Sequence, residues 1–114
     1  MSRQRAKGTK AETALVNYLR EHGFPNAKRR ALAGAADEGD VDWVDWLTVE
    51  VKNVRTPNYR QWLRETAVER SNAGSAVGIV VHKPHGVGVD DQGEWHVVMT
   101  LDQFLHLYEN FIRD

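Results

Sequence analysis

The residues best suited to chemistry fall in two short runs, Asp37-Glu38-Gly39-Asp40-Val41 and Val49-Glu50-Val51-Lys52. Cysteine is absent, which excludes thiolate nucleophiles, thiolate zinc sites and disulfide staples and leaves carboxylates, hydroxyls and five histidines. Residues two apart on a strand leave the same face, so Glu50 and Lys52 project together. An acidic strand or loop alongside then brings Asp40 next to Glu50. Two carboxylates and a lysine on one sheet face make an oxygen-ligand site for a hard cation with a positive group over it. Phosphodiester hydrolysis uses those parts: a carboxylate-held divalent ion to activate water and neutralise developing charge, and a lysine to hold or polarise the nucleophile.

The charge pattern is consistent with a phosphate-bearing partner once it is read by segment. The net charge is only -1, yet residues 1–30 hold eight Lys/Arg against Glu12 and Glu21. Residues 37–50 hold six acids and no base, and residues 51–83 hold six bases against Glu65 and Glu69. The segment from Pro84 onward carries one base and six acids. An acidic block between two basic blocks is what a metal site beside a phosphate-binding surface requires, although charge clusters more often form solvated faces.

The elements that must position these residues are legible from periodicity. The 114 residues, 41% hydrophobic and 27% charged, suit one globular domain. Residues 1–8 lack apolar periodicity and read as a flexible basic arm ahead of a single domain over 9–114. Thr9 with Glu12 has capping-box spacing; Ala11, Ala14, Leu15, Tyr18 and Leu19 keep a helical stripe, and Gly23 marks the stop, predicting a helix over 10–22. Period-two runs follow at 28–32, 40–44 and 46–53, with a small-residue loop at 33–36. In the last run Leu47, Val49 and Val51 face a core, and Thr48, Glu50 and Lys52 present a polar face.

Pro57 opens a second helix over 58–72, with Tyr59, Trp62, Leu63, Thr66 and Ala67 as its stripe. The uncharged run 76–82 predicts a strand buried on both faces. A mobile loop, a strand over 94–100 and a final helix capped by Thr100 and Gln103 complete the order αβββαββα, an α/β mixed sheet flanked by helices. There is no apolar run of the roughly 18 residues a membrane span needs and no signal peptide, so an intracellular, cytoplasmic chain with no membrane partner is expected.

The four residues Glu12, within Gly8-Thr9-Lys10-Ala11-Glu12, Asp40, within Gly39-Asp40-Val41, and Glu50 and Lys52, within Glu50-Val51-Lys52, give the chain its resemblance to a known family. It resembles the PD-(D/E)XK nucleases of restriction-endonuclease-like fold, and within them the small Holliday junction resolvases of archaea and of phages infecting actinobacteria. The likeness covers roughly residues 7–83. One departure stands out: the usual Pro-Asp is Gly-Asp here, and Asp37, Asp42 and Asp45 lie close enough to compete for the aspartate's role.

The resemblance implies a Mg2+-dependent endonuclease, with Mn2+ as a substitute, that acts on branched DNA such as four-way junctions as a homodimer and leaves 5′-phosphate and 3′-hydroxyl ends. It implies Asp40 and Glu50 as metal ligands, Lys52 as the group orienting the nucleophile, and Glu12 as a further carboxylate at the metal. Arg3, Arg5, Lys7, Lys10, Arg29, Arg30 and Lys83 are the expected DNA contacts. Competing expectations are a flap, mismatch or duplex nuclease of the same superfamily, and a non-catalytic DNA-binding module.

Plainer roles compete at each position. Glu12 serves equally as the capping-box partner of Thr9, and Glu50 with Lys52 as an exposed ion pair. Asp42 and Asp45 suit strand edges or turns. Trp43 and Trp46 suit a core, a dimer surface or base stacking, and they or the second helix are expected at a dimer interface ahead of the C-terminal helix. His82 and His85, which flank Lys83, suit phosphate contact better than zinc.

Overall fold

The computed structural model describes residues 3–31 and 37–113; the expected loop at 33–36 and the side chains of Arg3 and Arg5 lie outside the described residues. The chain forms an α/β fold with a three-stranded mixed sheet and a small two-stranded one.

Helix α1 runs Arg3–Arg20 and so begins within the segment expected to be an arm. Arg, Gln, Ala and Lys are all strong helix formers, and Gly8 costs only about 1 kcal/mol in a helix interior. Thr9 therefore lies inside α1 and caps nothing, which removes the capping-box role for Glu12. Gly23, at φ 105, turns the chain after α1.

Strands β1 (Lys28–Arg29) and β2 (Val41–Asp42) form a short antiparallel pair. Strand β3 (Leu47–Lys52) lies parallel to β4 (Val77–His82), with Glu50 opposite Val80 and Lys52 opposite His82. Strand β5 (His96–Val98) adds antiparallel on the far side of β4. Helix α2 (Tyr59–Ala73) makes the crossover that a parallel pair needs; Asn58 caps its start and left-handed Gly74 ends it.

The pleat divides the sheet between two helices. Val49, Val51, Ile79 and Val81 pack with Ala11, Leu15 and Val16 of α1. The alternate positions meet α2, where Thr66 sits so close to Gly78 that a Cβ there would come within 2.9 Å of it. The polar face of β3 is consequently covered: Thr48 is fully buried and bonds Ser75, and Glu50 is only partly open.

The 83–95 segment is fastened rather than loose. The indole of Trp95 donates to Gly88 O at 3.0 Å, and the Gln92 amide donates to Ala14 O at 3.0 Å. Helix α3 (Leu101–Leu107) is capped by Thr100 as expected, but the Gln103 side chain accepts from the Gly78 amide instead of closing a capping box.

The tryptophans separate by environment. Trp62 and Trp95 are buried, Trp46 stacks on Phe111 at 4.0 Å, and Trp43 stands exposed. α3 does not seal itself against the sheet, and Leu101, Phe104, Leu105 and Phe111 remain exposed.

Candidate functional site

Asp40 is stitched to β3 across Glu50. Its amide donates to Val49 O at 2.8 Å, and its Oδ2 accepts from the Val51 amide at 2.8 Å. The residue before it makes this approach possible. Gly39 sits at φ 102, and a Cβ there would press on Val49 O at 3.0 Å. Its amide also donates to Asp37 Oδ1 at 2.9 Å. Proline has neither that φ nor that N–H, which explains why Gly-Asp stands where the resemblance has Pro-Asp.

Helix α2 supplies the other wall. Glu65, Glu69 and Asn72, at i, i+4 and i+7, form one stripe facing Lys52, Glu50 and the Asp37 segment in turn. The Asn72 side chain donates to Asp37 O at 2.8 Å, tying the acidic loop to the helix. Lys52 Nζ lies 3.6 Å from Glu50 and 3.8 Å from Glu65, and 5.9 Å from the ring of Trp62.

The acids strain against one another. Burial pushes the Asp40 carboxyl up to about 7, and the charge on Glu50 adds to the rise while the Val51 amide opposes it. Burial pushes Glu50 up to about 8, with the carboxyl and charge of Glu69 adding and Lys52 opposing. Glu69 rises to about 7, again chiefly through burial, with its bond to Glu50 opposing and Asp37 and Asp40 adding. Glu50 and Glu69 face each other closely enough to share a proton. When both are ionised no proton lies between them, and Glu50 Oε2 and Glu69 Oε1 are buried without a hydrogen-bond partner.

Orphaned acid oxygens beside a lysine, with only oxygen donors, fit a hard divalent cation. Among the described residues no three Asp, Glu or His side chains converge into a ready-made cage. Magnesium binds through one or two carboxylates and keeps several waters, so the Asp40–Glu50 pair matches its habit better than that of a fully caged ion.

The remaining expected residues divide. Glu12 acts on Asp40 through its charge and takes Arg29 at 3.1 Å. Arg30 is held by Asp42 at 2.7 Å and Glu38 at 3.4 Å, so Arg30 braces the acidic segment in this structure while Arg29 is taken up by α1. Lys7 and Lys83 meet in one cleft, and Lys10 lies in another beside Glu21 and Asp90. His82 is buried against Trp62, with Nε2 on Val54 O at 3.0 Å, and is not available to phosphate. Asp42 belongs to β2 and Asp45 to a turn, as their plainer roles have it.

Glu65 and Glu69 join the site although no motif in the sequence points to them. Their i, i+4 spacing is a usable signal, but it lies on the flank of α2 beside a more conspicuous apolar stripe. No family model matches the chain, and neither a curated protein nor a solved structure matches it.

Proposed function

We propose that the chain is a Mg2+-dependent, structure-selective DNA endonuclease built on a restriction-endonuclease-like core. Four-way junctions are its favoured substrate, and a homodimer is its working form. The observation that carries this reading is the half-buried Asp40–Glu50 pair with Lys52 beside it, an arrangement in which a bound cation would offset the cost of ionising both acids. The alternation of β3, which sends Glu50 and Lys52 to one face, supports the same reading.

Asp40 and Glu50 would hold the ion, which when bound supplies positive charge to the phosphodiester and acidifies water. Lys52 is placed to donate to a phosphoryl oxygen or to the attacking water. Its ammonium is kept near that position by Glu50, Glu65 and the face of Trp62. Glu12, paired with Arg29, adds negative charge beside Asp40. A junction needs two matched nicks, so one site per chain calls for two chains about a twofold axis.

The deciding experiment is a cleavage panel of four-way junctions, flaps, forks, mismatched and plain duplex DNA with Mg2+, Mn2+ or EDTA. Junction cleavage that Mg2+ supports and Glu50→Gln abolishes is the expected result. A second reading, a DNA-binding module without catalysis, is favoured by the lack of a three-carboxylate cage among the described residues. It requires binding with no cleavage under any metal.

A further inference from the structure

A second site lies outside the carboxyl ends of β3 and β4, the end of a parallel strand pair at which α/β sheets bind ligands. It is a cleft of about 370 Å³. Lys7 reaches it from α1, Arg55 from the segment after β3, and Lys83 and His85 from the segment after β4, with Gly86 and Gly88 leaving part of its wall bare. Among the described residues no carboxylate lines it, although the chain has 16 acids against 15 bases.

Basic side chains around the carboxylate site are engaged: Arg29 with Glu12, Arg30 with Asp42, and Lys52 with Glu50 and Glu65. Among the described residues, Lys7, Arg55 and Lys83 have no such partner. An unneutralised set of three cations and an imidazole around one concavity suits a phosphate group.

The cleft adjoins the carboxylate site through the backbone. Asn53, in its lining, directly follows Lys52, and the Lys83 amide donates to Lys52 O at 2.9 Å. Asn53 also reaches Lys7 O, at 3.5 Å, which ties α1 to the rim. The Val87 amide bonds Pro84 O at 3.2 Å, and left-handed Gly86 closes that turn, holding His85 at the mouth.

We propose that this cleft binds the phosphodiester backbone of a nucleic-acid strand, with Lys7, Arg55 and Lys83 pairing with phosphates of the strand that passes Glu50 and Lys52. The placement of that strand rests on the nuclease reading; the affinity for phosphate does not.

The test is fluorescence anisotropy of a labelled single strand and a labelled four-way junction in EDTA over a salt series. The wild type is compared with Lys7→Gln/Arg55→Gln/Lys83→Gln and with a control, Arg60→Gln/Arg64→Gln, on the exposed side of α2. The cleft variant is expected to bind more weakly and to flatten the slope of log affinity against log salt by about two on the single strand and nearly three on the junction, as three phosphates lose their partners, at an unchanged Tm. The control keeps the wild-type slope.

An unchanged slope in the cleft variant overturns the proposal. So does an NMR titration in which inorganic phosphate, but not the strand, moves the amides of Lys83, His85 and Gly86. A flattened slope with no Mg2+-dependent cleavage by the wild type keeps the cleft and removes the nuclease reading. Cleavage with an unchanged slope does the reverse.

Discussion

The carboxylate of Asp40 accepts the Val51 amide at 2.8 Å, so one oxygen of a candidate metal ligand is also a structural part of the sheet edge. Asp40→Asn keeps an acceptor at that place and removes the charge. The variant is expected to fold with near-native Tm, to bind junction DNA and to lose nearly all cleavage. Asp40→Ala leaves the Val51 amide without its partner and should cost about 1–3 kcal/mol in addition. Urea melts of the two variants beside junction-cleavage assays separate the effects; full activity in Asp40→Asn removes Asp40 from the metal site.

Gly39→Pro installs the Pro-Asp of the pattern the sequence resembles and is expected to damage this protein. It demands a φ near -65° where the chain has 102, and it deletes the amide that bonds Asp37. We expect a loss of about 3 kcal/mol or more by chemical denaturation, with cleavage falling alongside. A variant as stable and active as wild type would show that the left-handed bend is unnecessary.

The raised pKa values of Asp40, Glu50 and Glu69, about 7, 8 and 7, set the sign of the pH response. The unfolded chain loses these protons near pH 4, whereas the folded one keeps them until pH 7–8. Between those limits the folded state binds more protons, so stability falls as pH rises. The metal-free Tm is expected to drop from pH 5.5 to 8.5, and Mg2+ to restore more of it at the alkaline end, where the ligands are ionised. Glu50→Gln/Glu69→Gln should flatten the decline; a double variant with the wild-type pH profile would place its origin elsewhere.

Dimerisation, if it uses apolar surface, points to α3. Trp62 is inside the chain and Trp46 is covered by Phe111, whereas Leu101, Phe104 and Leu105 are open. Sedimentation at micromolar concentration is expected to give twice the monomer mass. Phe104→Glu/Leu105→Glu should shift it to monomer with the monomer fold intact, and Trp43→Glu should do so less. A wild-type monomer that nicks both strands of a junction in one encounter would remove the dimer.

Much of this architecture is legible in side-chain period. Alternation in 47–52 separates Val49 and Val51 from Glu50 and Lys52, and the uncharged run before Lys83 is a strand buried on both faces. Boundaries are less legible wherever tertiary contact decides them. Helix α1 begins at Arg3 because residues 3–7 favour a helix and Gly8 opposes it only weakly, although no apolar stripe announces one. The polar face of β3 looks open in the sequence because alternation reports that two faces differ, not what lies over each of them. Only the long-range packing of α2 shows that Glu50 meets Glu69 and that Lys52 meets Glu65. The occupation of Arg29 and Arg30 by acids is equally long-range: Arg30 meets Asp42 only after β1 and β2 pair, and Arg29 meets Glu12 only after β1 packs on α1.

The parallel register of β3 and β4 also orders events in time. Leu47 pairs with Val77 and Lys52 with His82, so the strand carrying Glu50 has no neighbour on that side until the whole of α2 has been synthesised and folded back. Until then the enclosure that raises Glu50 and Glu69 together is incomplete, because α2 has no β4 to pack against. The partly desolvated pair is therefore assembled late, and a nascent chain that ends between Glu69 and Val77 carries every acid of the site without yet having the strand that completes it.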